Sequence, residues 1–175
     1  MIITAMKVRH AQPYKGDIIH VVVETPQYSL EKYAYDRDLK AFSLKKTLPA
    51  GSAFPFDFGF VPNTLCDDGD PVDALVLVEG ETYPGCILAA RLVGVLEAVE
   101  ADKNNKQVRN DRLIAVSVES QLYKNITDVK ELDKKMIHSI EDFFTSYNKQ
   151  EGRTFKPLKW NNAKAAHKKV LTCKE

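Results

Sequence analysis

Two hydrophobic patterns divide the chain, with β-branched runs in its first two thirds and a helical repeat near its end. The run Ile18–Glu24 is rich in Ile and Val and stops at a Thr-Pro pair, which predicts a buried strand ended by a turn. The apolar segment 87–96 predicts a long strand, and the segment 113–118 predicts its hairpin partner. The first part of the chain is therefore expected to form a sheet.

Shorter elements are predicted between these runs. Residues 32–35 and 40–44 predict two short strands, joined by a polar turn. Because side chains alternate between faces along a strand, Lys32 and Ala34 are expected to share one face. The segment 54–62 places aromatic residues between Pro and Gly, which is typical of an irregular loop over a core.

A helical repeat covers residues 130–147. Apolar side chains recur there every three or four positions and form one stripe, which we assign to the core. A second helix is expected to begin with Asn161 or Asn162 as its N-cap and to continue through residues 163–166. Strands followed by helices predict an α+β fold, with a small closed barrel as the favoured sheet.

Length and charge narrow the class of protein. A chain of 175 residues predicts a single domain, residues 1–175, and a formal net charge of +1 gives no global reason to expect nucleic acid or a membrane surface as a partner. No apolar run suits a signal peptide or a membrane span, which predicts a cytoplasmic protein. The three cysteines Cys66, Cys86 and Cys173 are widely spaced, so we expect free thiols.

The most concentrated group of candidate functional residues is an acidic stretch, residues 66–73, directly before the apolar run 74–78. Gly69 and Pro71 are turn residues, so Asp68, Asp70 and Asp73 are expected on a bent, inflexible loop where their carboxylates can converge. Carboxylates held that close need a counter-charge, and oxygen ligands favour Mg²⁺, Mn²⁺ or Ca²⁺ over zinc.

The composition of this stretch has two other interpretations. A solvated turn before a strand has the same composition, and the residues alone leave that alternative open. An EF-hand loop is excluded, because Asp73 stands where that loop needs Gly and Val72 stands where it needs a ligand.

Several separated motifs resemble the soluble family I inorganic pyrophosphatases. The sequence Asp-Gly-Asp-Pro-Val-Asp at 68–73 has the form of that family's D-x-D-P-x-D signature, and residues 58–65 resemble the segment before it. Residues 84–96 resemble the strand pair after the signature, and 160–166 resemble the start of the last helix. The resemblance covers residues 18–170, and it identifies the chain as a divergent member.

The resemblance implies a compact, distorted, OB-like barrel of five strands with helices packed outside, and Mg²⁺-dependent hydrolysis of pyrophosphate to two phosphates. Two cations about 3.5–4 Å apart can share a bridging water, lower its pKa and aim it at phosphorus. On that interpretation Asp73 bridges the metals, Asp68 ligates one, Asp70 orients or deprotonates the water, and Glu24 holds a further metal.

The same resemblance assigns the substrate-binding side chains. Lys32 and Lys46 would contact phosphate oxygens, and Tyr147 would donate a hydrogen bond to the leaving phosphate. Arg112 stands where the family has a catalytic lysine. In the hairpin formed by residues 97–112, which is longer than usual in the family, Glu100 matches an aspartate ligand. Asn110 and Asp111 are further predicted metal ligands.

Several positions depart from the family pattern. Ala34 replaces a glutamate, Lys46 an arginine, Phe58 a tyrosine, and Asn110 an aspartate. The Lys46 ammonium lacks the planar guanidinium that binds phosphate through two hydrogen bonds. The Asn110 amide oxygen can ligate a metal ion but contributes no charge, so a metal held there is expected to bind more weakly.

Two of these departures leave open which residue compensates. Asp102 or Asp111 could replace the carboxylate lost at Asn110. Asn148 stands where a phosphate-binding lysine is expected, and the candidates to replace it are Lys149, Arg153 and Lys156.

These departures keep two alternative functions open beside pyrophosphate hydrolysis. One is hydrolysis of another phosphoanhydride, such as a nucleotide or a short polyphosphate, and the other is a catalytically weakened homologue that only binds metal. Family members assemble as hexamers or dimers, so the resemblance also implies a homo-oligomer. Nucleic acid is not expected, because the most basic-looking loop is mixed in sign and has no aromatic residue on which a base could stack.

Overall fold

A computed structural model describes residues 12–66, 68–101, 104 and 106–173 of the chain. Its elements, in chain order, are β1 (Tyr14–Lys15), β2 (Ile18–Thr25), β3 (Glu31–Asp36), β4 (Ala41–Thr47), β5 (Asp57–Phe60), β6 (Asp73–Leu77), β7 (Ile87–Ala101), β8 (Gln107–Arg109), β9 (Arg112–Ser117), α1 (Lys134–Gln150), β10 (Thr154–Asn162) and α2 (Ala163–Thr172).

Five strands close into a ring at the centre of the fold. They follow the order β2, β5, β6, β9, β7, and β7 pairs with β2 to complete the ring. The β6–β9 pair is parallel and the other pairs are antiparallel. Strands β3 and β4 form a separate two-stranded ribbon. The prediction of an α+β fold with a small closed five-stranded sheet and two main helices is confirmed.

One predicted loop contains a strand of the ring. We expected residues 54–62 to be irregular, and this is wrong for β5, which pairs with β2 and β6. Gly59 explains how the strand fits, because a Cβ there would lie 1.9 Å from the carbonyl oxygen of Val22. A glycine inside a strand can thus mark close backbone approach as well as a break.

A second strand, β10, was missed between the two helices. It pairs antiparallel with β7, and its register shifts between Pro157 and Lys159. Since β10 is at the edge of the sheet, Pro157 interrupts the pairing without breaking a central ladder.

Both predicted helices are confirmed, and the start of α1 differs from the prediction. A 3-10 turn at Val129–Glu131 precedes α1, so the helix begins at Lys134, capped by the Asp133 carboxylate. The Asn162 side chain caps α2 by accepting a hydrogen bond from the backbone N–H of Ala165 at 3.1 Å. Among the described residues, neither helix combines the length and apolar character needed to cross a membrane.

Alternate residues of the ring strands enter two hydrophobic clusters. On β6, Leu75 and Leu77 join the cluster that contains Phe144 of α1, whereas Ala74 and Val76 join the cluster that contains α2 residues. The two-residue period of a strand places Asp73 on the same face as Leu75. Asp73, the last residue of the acidic stretch, therefore faces the hydrophobic cluster that contains Phe144.

The expectation of free thiols is wrong for two of the three cysteines. Cys66 and Cys173 form a disulfide, with their Cα atoms 4.7 Å apart, while Cys86 is free and exposed. The end of α2 lies against the start of the acidic stretch, where the backbone N–H of Leu65 donates to the Cys173 carbonyl at 2.5 Å. The two cysteines are separated by 107 positions, so their spacing gave no signal.

Replacing Cys173 with Ser is expected to lower the free energy of unfolding by about 4 kcal/mol, because a disulfide closing so long a loop restricts the unfolded chain. Urea denaturation of the oxidised proteins measures this difference, with Cys86→Ser as the matched control at the exposed free thiol. Equal stabilities for Cys173→Ser and the wild-type protein would show that the disulfide contributes nothing.

Candidate active site

The acidic stretch forms a tight loop between β5 and β6. Its backbone is closed by two hydrogen bonds, from Cys66 N–H to Asp70 C=O and from Gly69 N–H to Cys66 C=O, each 2.9 Å long. Gly69 has φ +84°, a conformation that side chains with a Cβ rarely adopt. Asp68 supports the turn by accepting a hydrogen bond from the Asp70 N–H at 3.1 Å.

The loop lies at one side of a cleft of about 310 Å³. The cleft brings together most of the predicted site residues, namely Glu24, Lys32, Asp68, Asp70, Asp73, Glu100, Asn110, Arg112 and Tyr147. Two predicted residues, Lys46 and Asp111, do not line it. Asp102 lies outside the described residues.

Asp73 and Arg112, which both line the cleft, form an ion pair. They are register partners on the parallel strands β6 and β9, and Arg112 Nη1 lies 2.7 Å from Asp73 Oδ2. Loss of hydration raises the pKa of the Asp73 carboxyl, and the Arg112 charge opposes that rise. The Arg112 guanidinium also lies 5.1 Å from the Phe144 ring centroid, a cation–π distance that helps to hold its charge in this aromatic setting.

Glu24 lies at the end of β2 and is half-buried. Loss of hydration raises the pKa of its carboxyl to about 7, although the Tyr35 backbone N–H donates to it at 2.7 Å and the Lys32 charge also favours ionisation. The negative charges of Asp73 and Asp70 add to the rise. A cation in the cleft would reverse it, because it would favour the ionised carboxylate.

The β3–β4 ribbon supplies basic groups to the cleft. Lys32 Nζ lies 4.8 Å from the Phe58 ring centroid and 5.6 Å from that of Tyr147. Ala34 lines the same cleft, as the two-residue period predicted. Arg37, which sequence reasoning assigned only to a turn, reaches the acidic loop and donates to the Gly69 carbonyl at 3.0 Å and to Asp70 Oδ1 at 3.3 Å.

At the hairpin side of the cleft, polar groups are bonded to one another. Glu100 accepts hydrogen bonds from Asn110 Nδ2 and from Arg153 Nη1, each at 2.9 Å. The Asn110 side-chain oxygen accepts from Arg112. Arg153 thus joins the cleft, whereas Lys149 and Lys156, the other two candidates for this role, do not line it.

Asp111 is buried away from the cleft in an ion-pair network. Its carboxylate contacts Arg109 Nε at 2.5 Å and Lys169 Nζ at 3.2 Å, and it accepts from the Ala98 N–H at 3.1 Å. Its predicted role as a metal ligand would require these contacts to break.

Lys46 does not line the cleft but contacts Glu151 and Tyr147, which do. Its Nζ lies 2.5 Å from Glu151 Oε1 and 3.7 Å from the Tyr147 ring centroid. The hydrogen bond from Lys46 lowers the pKa of the Glu151 carboxyl. Asn148 is buried and donates to the Phe144 carbonyl at 2.9 Å, so it does not stand in for a cationic phosphate ligand.

The donor set suits a hard divalent cation at the acidic loop. Asp68, Asp70, Asp73 and Glu24 present only carboxylate oxygens to one cleft, and oxygen ligands select Mg²⁺ or Mn²⁺. As the described side chains stand, no three His, Cys, Asp or Glu residues are placed to hold a metal ion. Asp73 is paired with Arg112 and Asp70 with Arg37, so both would have to reorient around a cation.

Comparison with known proteins gives a consistent result over most of the chain. The family model described as inorganic pyrophosphatase matches residues 21–175. A protein named inorganic pyrophosphatase from Synechocystis sp. is 34% identical over 163 residues, which are 93% of each chain. One from Haloferax volcanii is 37% identical over 155 residues, covering 88% of this chain and 85% of the other.

Solved structures agree with the sequence relatives. The crystal structure of an inorganic pyrophosphatase from Thermus thermophilus superposes with a TM-score of 0.84 at 31% identity, covering 95% of this chain and 96% of the other. One from Neisseria gonorrhoeae superposes with a TM-score of 0.83 at 31% identity and the same coverage.

Proposed function

The chain belongs to the inorganic pyrophosphatase family and is an inorganic diphosphatase, and we propose that it uses Mg²⁺ to hydrolyse pyrophosphate in the cleft described above. The family depends on divalent metals, and Mg²⁺ is the ion we assign. The observation that carries this proposal is the convergence of Asp68, Asp70 and Asp73 with Glu24 on one cleft that also holds Lys32 and Arg112.

Each acidic residue has a separate proposed role. Asp68, Asp73 and Glu24 would hold Mg²⁺, because their carboxylates face one cleft and two of them have raised pKa values that a cation would lower. Bound divalent ions would spread the charge of pyrophosphate and acidify the attacking water. Asp70 would orient that water and accept its proton, since its carboxylate is exposed at the mouth of the cleft.

The basic and aromatic side chains would bind the substrate. Lys32 and Arg112 line the cleft and would neutralise phosphate oxygens, and the Tyr147 hydroxyl would donate to the leaving phosphate. Lys46 would act on phosphate only after leaving Glu151, so in the observed arrangement we assign it to holding the Tyr147 ring in place.

A phosphate-release assay tests this function. We expect phosphate from pyrophosphate in the presence of Mg²⁺, at a rate well above that from tripolyphosphate or ATP. A faster rate with either of those substrates would favour the alternative phosphoanhydride hydrolase, which is motivated by the altered phosphate-binding positions Lys46, Arg112 and Asn148. No release with Mg²⁺, Mn²⁺ or Co²⁺ would refute the proposal and favour the metal-binding homologue.

We further propose that residues 1–175 form one domain and that the protein is a cytoplasmic homo-oligomer, either a hexamer or a dimer. The family resemblance supports the assembly. Light scattering of the purified protein distinguishes these states from a monomer.

A further inference from the structure

The hairpin side of the cleft differs from the acidic loop in charge. At the loop, three aspartates face the cleft with Lys32 and Arg37 nearby. At the hairpin, Glu100 lines the cleft between Asn110 and Arg153. Glu151 also lines the cleft near Arg153, but its carboxylate is paired with Lys46. Arg112 lies on the other side of Asn110 and pairs with Asp73, so the hydrogen-bonded chain at the hairpin joins two guanidinium groups through Glu100 and Asn110.

The contacts of Glu100 leave it poorly suited to hold a metal ion. One of its oxygens accepts from Arg153 and the other from Asn110, and only 13% of its side chain is exposed. The Asn110 oxygen is used by Arg112, and the neutral amide adds no charge for a cation. A divalent ion placed here would also meet the repulsion of two guanidinium groups.

Arg153 is placed to meet an anion in the cleft. It lies directly before β10, 54% of its side chain is exposed, and the hydrogen bond to Glu100 raises its pKa, so the guanidinium stays charged. In the described part of the chain, Arg153 Nη1 donates to Glu100. A guanidinium has five N–H donors in a planar arrangement, so others remain for a phosphate. The buried Asn148 offers no such charge.

We infer that Arg153, together with Arg112, forms a phosphoryl-binding site at the hairpin, and that this side of the cleft holds guanidinium groups instead of a divalent cation. The inference rests on the proposed function, because it assigns a position for one phosphoryl group of pyrophosphate. It also means that Glu100 orients Arg153 and is not a metal ligand, contrary to the interpretation drawn from the sequence.

The first test counts bound metal ions without turnover. Calorimetric titration with Mn²⁺ is performed on the wild-type protein, on Glu100→Gln and on Asp68→Asn as the comparison variant from the acidic loop. We expect Glu100→Gln to bind the same number of ions as the wild type with less than a twofold change in affinity, and Asp68→Asn to lose at least one. Loss of one ion in Glu100→Gln, or in the second variant Glu100→Asp, would overturn the inference.

The second test measures substrate binding. Arg153→Ala is expected to raise the KM for pyrophosphate at least tenfold and to weaken binding of imidodiphosphate, a slowly cleaved analogue, by a similar factor, while kcat changes less than threefold. Arg153→Lys should recover part of the affinity, and Lys149→Ala, the neighbouring cation that does not line the cleft, should match the wild type.

The outcomes separate the two proposals. A wild-type protein that releases phosphate from pyrophosphate, combined with unchanged KM and analogue affinity in Arg153→Ala, would refute the arginine site and leave the function standing. A wild-type protein without any phosphate release would refute the function itself.

Discussion

Replacing Asp70 with Asn is expected to lower kcat for pyrophosphate at least about 100-fold. General-base catalysis contributes about 10²–10⁴ to a rate, and an amide cannot take a proton from water. The Asp70 carboxylate lines the cleft, is 76% exposed and lies 3.3 Å from Arg37 Nη2. The fold should not change, because this side chain is at the surface and its backbone hydrogen bonds stay in place.

Steady-state phosphate release measures the effect, and the melting temperature reports on the fold. Asp17→Asn is the matched control, since Asp17 is an exposed aspartate of the β1–β2 turn that does not line the cleft. If Asp70→Asn kept more than about a tenth of the wild-type kcat, Asp70 would not be the base.

Replacing Asp73 with Asn is expected to remove both activity and the stabilisation of the protein by Mg²⁺. We expect kcat/KM to fall about 10³-fold, the upper range for loss of one electrostatic contact to a transition state. In the wild type, Mg²⁺ at 100 times its dissociation constant should add about 2.7 kcal/mol to the free energy of unfolding, and the variant should gain almost none. The Asn oxygen can still accept from Arg112, so the pair is weakened without leaving the arginine unpartnered.

Thermal melting with and without Mg²⁺ provides a measurement that does not depend on turnover. Asp142→Asn, an exposed aspartate on α1, is expected to behave like the wild type in both assays. A full Mg²⁺-dependent shift in Asp73→Asn would show that the metal binds elsewhere.

The parts of the fold that the sequence predicts are those set by local patterns. Runs of β-branched residues predict β2, β7 and β9, and a three- and four-residue repeat predicts α1. Among the strands that were not predicted, β5 and β10 contain Gly59 and Pro157, residues that ordinarily break a strand. Both are tolerated for non-local reasons, namely close approach to Val22 in one case and an edge position in the other.

The candidate site also has a part that local sequence patterns predict and a part that depends on contacts between distant segments. The three aspartates lie within six consecutive positions, 68–73, so one turn brings them together. The two-residue period of a strand is enough to place Lys32 and Ala34 on the same face. Contacts between distant segments gave no such signal. Arg37 reaches Asp70 across 33 positions, Arg153 reaches Glu100 across 53, and Cys66 pairs with a cysteine 107 positions away.

Diffraction from crystals soaked in manganese, with the anomalous signal of the metal, tests the central claim most directly. We predict metal peaks bounded by Asp68, Asp73 and Glu24, with the Asp73 carboxylate turned from Arg112 toward the ion, and no peak beside Glu100. A cleft without manganese, with the three loop aspartates pointing away from one another, would contradict the account.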